Sequence, residues 1–416
     1  MSDAEKKFSI FPIWLLVFID LIGIGIVIPI LAPIFLNPQY GLFPLDFSFR
    51  LRTILLGLLI GSFPIAQFFG APVLGALSDR HGRKKMAIVS LTGTFIGYVL
   101  FAIALTLHNI HLLFFSRVLA GFFGGSLSIA FSAIADISDE KSKAKNFGLL
   151  GMAFGLGFII GPFIGGKLAD PNMLPWFDFA TPLWFAALLT LFNIATVVWG
   201  FNETLKTMVH SEISFFTGFK NLKKAFQMQN LRVVFTVVFL LSFGFSFFAQ
   251  FYQVFLIEKF HFNQSQIGTQ FAYIGLWIAF AQGVITRIFS KKFNPKQILT
   301  FSTLLLSITF PLLLWPSNSV YLYFIMPFIA IFQGLTFPNY TALVSGLSAK
   351  DSQGEILGIN QSIQSIGMAI PPIIAGFIVS LHLYLPILVA GILTFIAWIV
   401  FVAFFRPKEN ELFHEV

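Results

Sequence analysis

Long apolar stretches alternate with short polar breaks along the whole chain. Each stretch holds about 20 residues or more, which is the length that a helix needs to cross the hydrocarbon core of a bilayer. The pattern therefore predicts an all-α membrane protein with twelve transmembrane helices. We place these spans at 10–36, 52–76, 85–107, 111–135, 146–169, 180–200, 231–257, 266–288, 297–315, 319–345, 355–380 and 384–405.

The composition leaves little room for anything but these helices. Hydrophobic residues make up 57% of the 416 residues and charged residues 11%, whereas soluble domains have roughly 45–50% and about 25%. A soluble protein is therefore excluded. The chain has no cysteine, which excludes disulfides, thiolate metal sites and a cysteine nucleophile. Because no span combines a nucleophile, a base and metal ligands, an enzyme is not expected.

The basic residues fall mainly on one side of the predicted spans. With the N-terminus placed in the cytoplasm, 21 of the 26 Lys and Arg residues lie on the cytoplasmic side. The opposite side holds four, and the last, Arg117, lies inside span four. Because cytoplasmic loops collect Lys and Arg, we expect a multi-pass protein of the cell inner (cytoplasmic) membrane with both termini in the cytoplasm. This distribution accounts for the net charge of +8 without a nucleic-acid partner.

Two segments of the chain match each other at a shift of 210 residues. Such a repeat predicts two pseudo-symmetric six-helix bundles, which we place at 1–205 and 231–416. Secondary transporters are commonly built in this way, because one bundle can rock against the other around a site near the bilayer midplane. The matching residues are Ser138, Gly148, Gly157, Pro162 and Gly166 in the first segment and Ser348, Gly358, Gly367, Pro372 and Gly376 in the second.

The connection between the bundles, 206–230, has an amphipathic pattern. Apolar residues at helical spacing lie opposite lysines, which is typical of a helix that lies on the cytoplasmic leaflet. We expect a plain tether, with a regulatory role as the alternative. The apolar residues are Phe215, Phe219, Leu222 and Phe226, and the lysines are Lys220, Lys223 and Lys224.

Three motifs in the N-terminal bundle are specific in combination. They read Asp20-x-x-Gly23-x-Gly25-x-x-x-Pro29 in span one, Gly75-Ala-Leu77-Ser-Asp79-Arg80-His-Gly82-Arg83-Lys84 after span two, and Gly157-x-x-x-Gly161-Pro162-x-x-Gly165-Gly166 in span five. With them the chain resembles the major facilitator superfamily, and within it the twelve-span drug/proton antiporters, closest to the tetracycline efflux branch. That branch carries further acids in spans three and nine, whereas residues 95–98 and 297–315 contain none. The identity of the substrate is therefore left open.

The resemblance implies roles for two of these motifs. The loop after span two implies a conformational latch, in which Arg83 pairs with Asp136 and Asp79 faces the N-terminus of span eleven; a plain positive-inside anchor is the alternative. The glycines of span five imply an antiporter motif that packs this span against the other bundle and limits leakage. The latch residues are Gly75, Asp79, Arg80, Arg83 and Asp136, and the antiporter helix motif is Gly157, Gly161, Pro162, Gly165 and Gly166.

Asp20 is the only acid deep within any predicted span. At about 1.5 Å per residue it lies roughly 15 Å into span one, near the middle of a core about 30 Å thick. A charged carboxylate that faces lipid there costs at least about 2.5 kcal/mol. We predict that Asp20 carries protons and that Arg117, in span four, pairs with it and modulates it. The alternatives are a permanently neutral Asp20 and an Arg117 that only ties helices together.

Uncharged polar residues in the later spans predict a substrate cavity with an otherwise aromatic lining. We expect a proton-coupled antiporter that exports amphiphilic small molecules or drugs by alternating access, with the proton as coupling ion and no other cofactor. Its expected partners are the substrate, protons and the lipid bilayer, and it is expected to act as a monomer. A dedicated metabolite or siderophore transporter, in which Arg117 holds an anionic group, and a membrane receptor or scaffold stay open. The candidate cavity residues are Ser246, Gln250, Gln253, Gln270, Tyr273, Gln333, Tyr340, Asn360 and Gln364.

Overall fold

The fold is built from helices. The computed structural model describes residues 3–37, 40–138, 140–205, 214–228, 231–347 and 353–406, and no strand occurs in these ranges. The N-terminal part forms α1 (Asp3–Leu36), α2 (Phe49–His81), α3 (Arg83–Thr106), α4 (Ile110–Phe123), α5 (Ser126–Ile137), α6 (Glu140–Leu168) and α7 (Thr181–Gly200). The rest forms α8 (Thr217–Gln227), α9 (Arg232–Phe260), α10 (Gln264–Phe280), a π-helical turn (Ala281–Ile285), α11 (Thr286–Phe289), α12 (Pro295–Leu312), a short 3-10 turn (Ser319–Tyr321), α13 (Leu322–Gly346), α14 (Gln353–Ala369), α15 (Pro371–Val379) and α16 (Leu385–Phe404). The predicted all-α fold class is confirmed.

Eleven segments of the described chain are long and apolar enough to cross a membrane. They correspond to the predicted spans except span nine. There α12 is a helix of 18 residues whose first turn contains Lys296 and Gln297 and is capped by the Asn294 side chain. The polar first turn shortens its apolar part, so span nine is a helix but the least membrane-like of the twelve.

The polar loop predicted after span two is almost entirely helical. Because α2 extends to His81 and α3 begins at Arg83, a single residue joins the two helices. This residue, Gly82, has φ 96° and ψ 146°, a backbone conformation that glycine adopts without the steric penalty of a Cβ atom. The two helix ends therefore meet within the motif.

The described chain packs as two compact units. The first contains α1, α3 to α7, most of α2 and the start of α10 as far as Gly275. The second contains Thr53–Gly61 of α2, together with α8, α9 and the helices that follow Gly275. The predicted bundle boundaries at 205 and 231 stay a prediction, since 206–213 and 229–230 lie outside the described residues.

Each unit has its own hydrophobic core. Leu16 of α1, Leu91 of α3 and Ala130 of α5 are buried together in the first unit. Val234 of α9 and Phe401 of α16 belong to the core of the second. Each core is built where apolar faces of different helices meet, and it positions the polar residues described next.

Candidate proton-coupling and latch sites

Asp20 lies on α1 and is 5% exposed. Its carboxylate accepts a hydrogen bond of 2.6 Å from the Ser126 hydroxyl, a length typical of O–H donors to ionised acceptors. Ser126 is the first residue of α5, directly after Gly124 and Gly125, where the helix of span four is interrupted. The interruption therefore turns a hydroxyl donor toward the buried acid.

Tyr98 of α3 lies beside this acid, and sequence reasoning missed it. A Cβ atom at Gly23, one turn after Asp20, would lie 2.7 Å from the Tyr98 hydroxyl oxygen. Tyr98 is 3% exposed, and the charges of both Asp20 and Arg117 act on its hydroxyl. The glycine in the span-one motif thus makes room for a phenol next to the carboxylate. The available sequence signal is a tyrosine hydroxyl within a largely apolar span.

Arg117 of α4 is buried but forms no ion pair with any residue that the structure describes. Its guanidinium carbon lies 4.7 Å from the centroid of the Phe63 ring and 5.8 Å from that of Phe101. Such cation–π contacts offset part of the cost of burying the charge. The Arg117 Nε atom has no hydrogen-bond partner among the described residues. The predicted pair with Asp20 is not formed in this structure, because Arg117 lies over the aromatic rings while Asp20 accepts from Ser126; the pairing stays a prediction.

The latch residues surround Arg83, the first residue of α3. One of its nitrogens, Nη1, lies 2.5 Å from Asp79 Oδ1 and donates to the Ser78 hydroxyl at 2.6 Å. Its Nε lies 3.0 Å from Asp136 Oδ2 at the end of α5. Arg83 is buried, so these charge-assisted bonds are poorly screened by water. The structure thus brings together the two residues that the resemblance paired, and their role as a latch stays a prediction.

The remaining latch residues lie around this cluster. A Cβ atom at Gly75 would lie 3.0 Å from the Ser128 hydroxyl, which shows a close approach of α2 to α5. Arg80 lies in the last turn of α2 and is half-buried. The predicted contact of Asp79 with the start of span eleven stays a prediction, since the side chains of residues 353–355 lie outside the described residues.

Two residues after α7 complete the cluster, and sequence reasoning missed both. The Glu203 carboxylate accepts backbone N–H bonds from Arg83 at 2.9 Å and Lys84 at 3.1 Å. The Thr204 hydroxyl donates to Asp136 Oδ2 at 3.2 Å. An acid just beyond a span, on a side rich in basic residues, was the available signal, since carboxylates favour helix N-termini.

The glycines of span five mostly face span one. Cβ atoms at Gly157 and Gly161 would lie 2.6 Å from Leu21 Cβ and 2.7 Å from the Ile22 carbonyl oxygen. Gly165 faces the Ile26 carbonyl in the same way, and Pro162 lies against Gly25. Two residues of the motif contact α10: a Cβ atom at Gly166 would lie 3.0 Å from Gly268 Cα, and one at Gly268 would collide with the Pro162 carbonyl oxygen. The expectation that the whole motif packs against the other bundle was therefore wrong for Gly157, Gly161 and Gly165, because their small surface accommodates the backbone of α1 instead.

The candidate cavity residues are divided between the two units. Gln270, which is fully buried, and Tyr273 belong to the first unit, and the others belong to the second. In the second unit the Ser246 hydroxyl donates to the Met368 carbonyl at 3.2 Å, and Tyr340 lies in the hydrophobic core. These two side chains are thus engaged within their own unit.

The amides of the second unit differ in how they are satisfied. Gln253 Nε2 donates to the Gln250 carbonyl at 3.2 Å within α9. Asn360 and Gln364 are buried on α14, whereas Gln333 of α13 is half-buried. Asn360 Oδ1 is a buried acceptor with no hydrogen-bond partner in the described chain. Buried acceptors normally have a hydrogen-bond partner, so this oxygen is a candidate to face a substrate.

Comparison with known proteins decides the family. The Major Facilitator Superfamily model matches residues 13–372 and, in a second match, residues 234–414. The chain belongs to the major facilitator superfamily. It is similar to the quinolone resistance protein NorA of Staphylococcus aureus, with 30% identity over 393 residues that cover 92% of each protein. Multidrug resistance protein 1 of Bacillus subtilis is 30% identical over 392 residues, covering 92% of this chain and 94% of that protein.

A solved structure supports the same fold. The crystal structure of the human organic anion transporter MFSD10 (TETRAN) has a TM-score of 0.72 at 21% identity, over 96% of this chain and 100% of that chain. The chain is thus a multi-pass membrane transporter of this superfamily and not an enzyme. The predicted drug/proton antiporter family is confirmed by the resistance proteins. The relation to the tetracycline efflux branch stays a prediction.

Proposed function

We propose that this transporter exports amphiphilic small molecules in exchange for protons, by alternating access across the inner membrane with both termini in the cytoplasm. The observation that carries the proposal is the buried carboxylate of Asp20, held by one hydroxyl donor in the middle of span one. An acid inside hydrocarbon is costly, so such a residue usually marks a functional site. The function that we assign to Asp20 is to bind and release a proton in alternation.

The residues around Asp20 suit this cycle. Ser126 stabilises the ionised carboxylate by donating to it. The buried guanidinium of Arg117 provides a positive charge that favours proton release. The hydroxyl of Tyr98 lies close enough to Asp20 and Arg117 for both charges to act on it. One proton that moves down a potential of about 100 mV supplies about 2.3 kcal/mol for substrate export.

The cluster around Arg83 acts as the latch of this cycle. Its ion pairs with Asp79 and Asp136 join the end of α2, the start of α3 and the end of α5. Breaking them leaves the buried charge of Arg83 unpaired, which is unfavourable. The latch therefore separates two conformations by an energy barrier instead of allowing continuous movement.

The substrate class is supported by the relatives. NorA is named for quinolone resistance and a Bacillus relative for multidrug resistance, so aromatic amphiphiles are the compounds to test first. The protein works as a monomer without a nucleic-acid partner, and the proton is its coupling ion. The Nε of Arg117, which has no hydrogen-bond partner in the described part of the chain, favours a second candidate, a dedicated transporter of an anionic metabolite or siderophore.

A ring-matched panel separates the two candidates. Purified protein in liposomes with an imposed pH gradient is supplied with naphthylmethylammonium, naphthamide and naphthoate, and both substrate and proton fluxes are measured. The proposal predicts opposite movement of substrate and protons, with the cationic and neutral compounds transported. Transport of naphthoate alone favours the second candidate. The absence of any substrate-driven proton movement contradicts antiport.

A further inference from the structure

The carboxylate of Glu203 closes over the N-terminus of α3. It accepts the N–H groups of Arg83 at 2.9 Å, Lys84 at 3.1 Å and Leu205 at 3.0 Å. The first N–H groups of a helix have no partner within the helix, and a carboxylate is favoured there by the helix dipole. Glu203 therefore fixes the main chain of the residue whose side chain forms the latch.

Gly82 is matched to this carboxylate. Its φ of 96° favours glycine, and a Cβ atom at this position would collide with Glu203 Oε2. Only a residue without a side chain lets the carboxylate reach the two N–H groups that follow. Gly82 therefore allows both the turn between α2 and α3 and the approach of the Glu203 carboxylate.

The neighbouring residue holds the other partner of Arg83. The Thr204 hydroxyl donates at 3.2 Å to Asp136 Oδ2, the same oxygen that lies 3.0 Å from Arg83 Nε. Consecutive residues therefore hold the backbone of Arg83 and the carboxylate with which it pairs.

We propose that Glu203 is a positioning residue of the latch, which orients Arg83 toward Asp136. The inference rests on the proposed function of Arg83 as a latch. Loss of the Glu203 carboxylate frees the start of α3 and weakens the Arg83–Asp136 pair.

The test compares Glu203→Gln with a carboxylate that caps another helix. Asp178 accepts N–H bonds from Ala180 at 2.9 Å and Thr181 at 2.8 Å at the start of α7, so Asp178→Asn removes the charge from a similar cap away from the latch, as Glu203→Gln does at the latch. We expect Glu203→Gln to lower the maximal rate of transport about 10-fold, as for loss of a hydrogen bond to a charged group, with an unchanged KM. Asp178→Asn leaves the rate unchanged. Equal rates for the two variants overturn the proposal.

A second variant keeps the test decisive should Glu203→Gln fold poorly. Gly82→Ala keeps the Glu203 side chain but pushes its carboxylate away from the α3 N–H groups. This variant is therefore expected to show the same loss of maximal transport rate. The double variant is expected to be no slower than either single variant, because both remove one interaction. Defects that multiply in the double variant overturn the proposal.

Hydrogen exchange separates failure of this inference from failure of the proposed function. Mass spectrometry of the purified protein follows the amides of Arg83 and Lys84 without requiring transport. About 10-fold faster exchange in Glu203→Gln and Gly82→Ala, but not in Asp178→Asn, supports the positioning role. Unchanged exchange refutes it even where the wild type transports. Faster exchange with no proton-coupled transport by the wild type contradicts the proposed function alone.

Discussion

At the scale of single residues, function depends on a few polar atoms placed among apolar side chains. Asp20 has one hydroxyl donor, Ser126, whereas Arg117 rests on two phenylalanine rings. Buried polar groups normally find hydrogen-bond partners. Within the described chain the Asp20 carboxylate has one side-chain donor and Arg117 Nε has no partner, so we expect these groups to gain partners when the protein binds a proton or a substrate.

Ser126→Ala tests the donor to the carboxylate. Removing a hydrogen bond to a charged group costs about 1.5–3 kcal/mol, so the ionised form of Asp20 becomes harder to reach and proton-driven export falls by about 10-fold or more. Export is measured in liposomes with an imposed pH gradient. Ser128→Ala is the matched control on the same helix, since the Ser128 hydroxyl donates to the uncharged Ala71 carbonyl, at 3.4 Å. Equal effects of both substitutions would argue against a special role for Ser126.

Tyr40 provides a pH-dependent effect outside the spans. Burial raises the pKa of its hydroxyl, and the nearby Asp178 charge raises it further. The unfolded chain ionises near pH 10 while the folded protein keeps the neutral phenol, so stability falls as pH rises above about 10. Thermal unfolding of Tyr40→Phe in detergent is expected to show a smaller loss over that range. A wild-type-like alkaline loss in the variant would contradict this assignment.

At the scale of helices, close backbone contact between α1 and α6 organises the first unit. A Cβ atom at Gly161 would lie 2.7 Å from the Ile22 carbonyl oxygen and 2.8 Å from Gly25 Cα, whereas Gly151 on the same helix has nothing within 4 Å. Small residues permit such contact between membrane helices. On α6, Gly161 therefore packs against α1, whereas Gly151 has open space around it.

Substitution of these two glycines should have opposite effects. Gly161→Ala forces the helices apart and is expected to destabilise the protein by about 1–3 kcal/mol. Gly151→Ala, at an open helical position, is expected to be neutral or stabilising by up to about 1 kcal/mol. Thermal unfolding in detergent micelles measures both. A stable Gly161→Ala protein would show that α6 is not held closely against α1.

The helices were more predictable than their contacts. Runs of apolar residues fix where a span lies, because a membrane helix must be apolar over its whole length. The motif pattern also located Asp20 and the Arg83–Asp136 pair. Glu203 and Tyr98 were missed because their roles arise from residues more than 70 positions away in the chain, and no local periodicity records such contacts. The orientation of Gly157 and its neighbours toward α1 depends on tertiary packing in the same way.

At the scale of the whole molecule, α8 belongs to the chain that connects the two predicted bundles. Its buried side contains Gly218 and Ala225, and the Asn221 side chain donates to the Ser362 hydroxyl at 3.0 Å. Phe219 and Phe226, two turns apart, are 47% and 53% exposed. Exposed aromatic residues beside lysines are typical of a helix at a membrane surface.

Spin labels test the predicted position of α8 at the cytoplasmic leaflet. Because the chain has no cysteine, Phe219→Cys and Gln227→Cys give single labelling sites on the aromatic and polar sides of one helix. In liposomes that contain anionic lipid, the label at 219 is expected to be more accessible to oxygen and the label at 227 to a water-soluble nickel chelate. Equal access of nickel to both labels would place the helix in water.

The most direct test of the account is the proton exchange of Asp20. In liposomes, Asp20→Asn is compared with wild type for substrate-driven proton movement and for exchange of labelled against unlabelled substrate. We expect the Asp20→Asn variant to exchange labelled for unlabelled substrate but to move no protons. Its rate of substrate export should no longer depend on a pH gradient. Proton movement at the wild-type rate in Asp20→Asn would contradict the account.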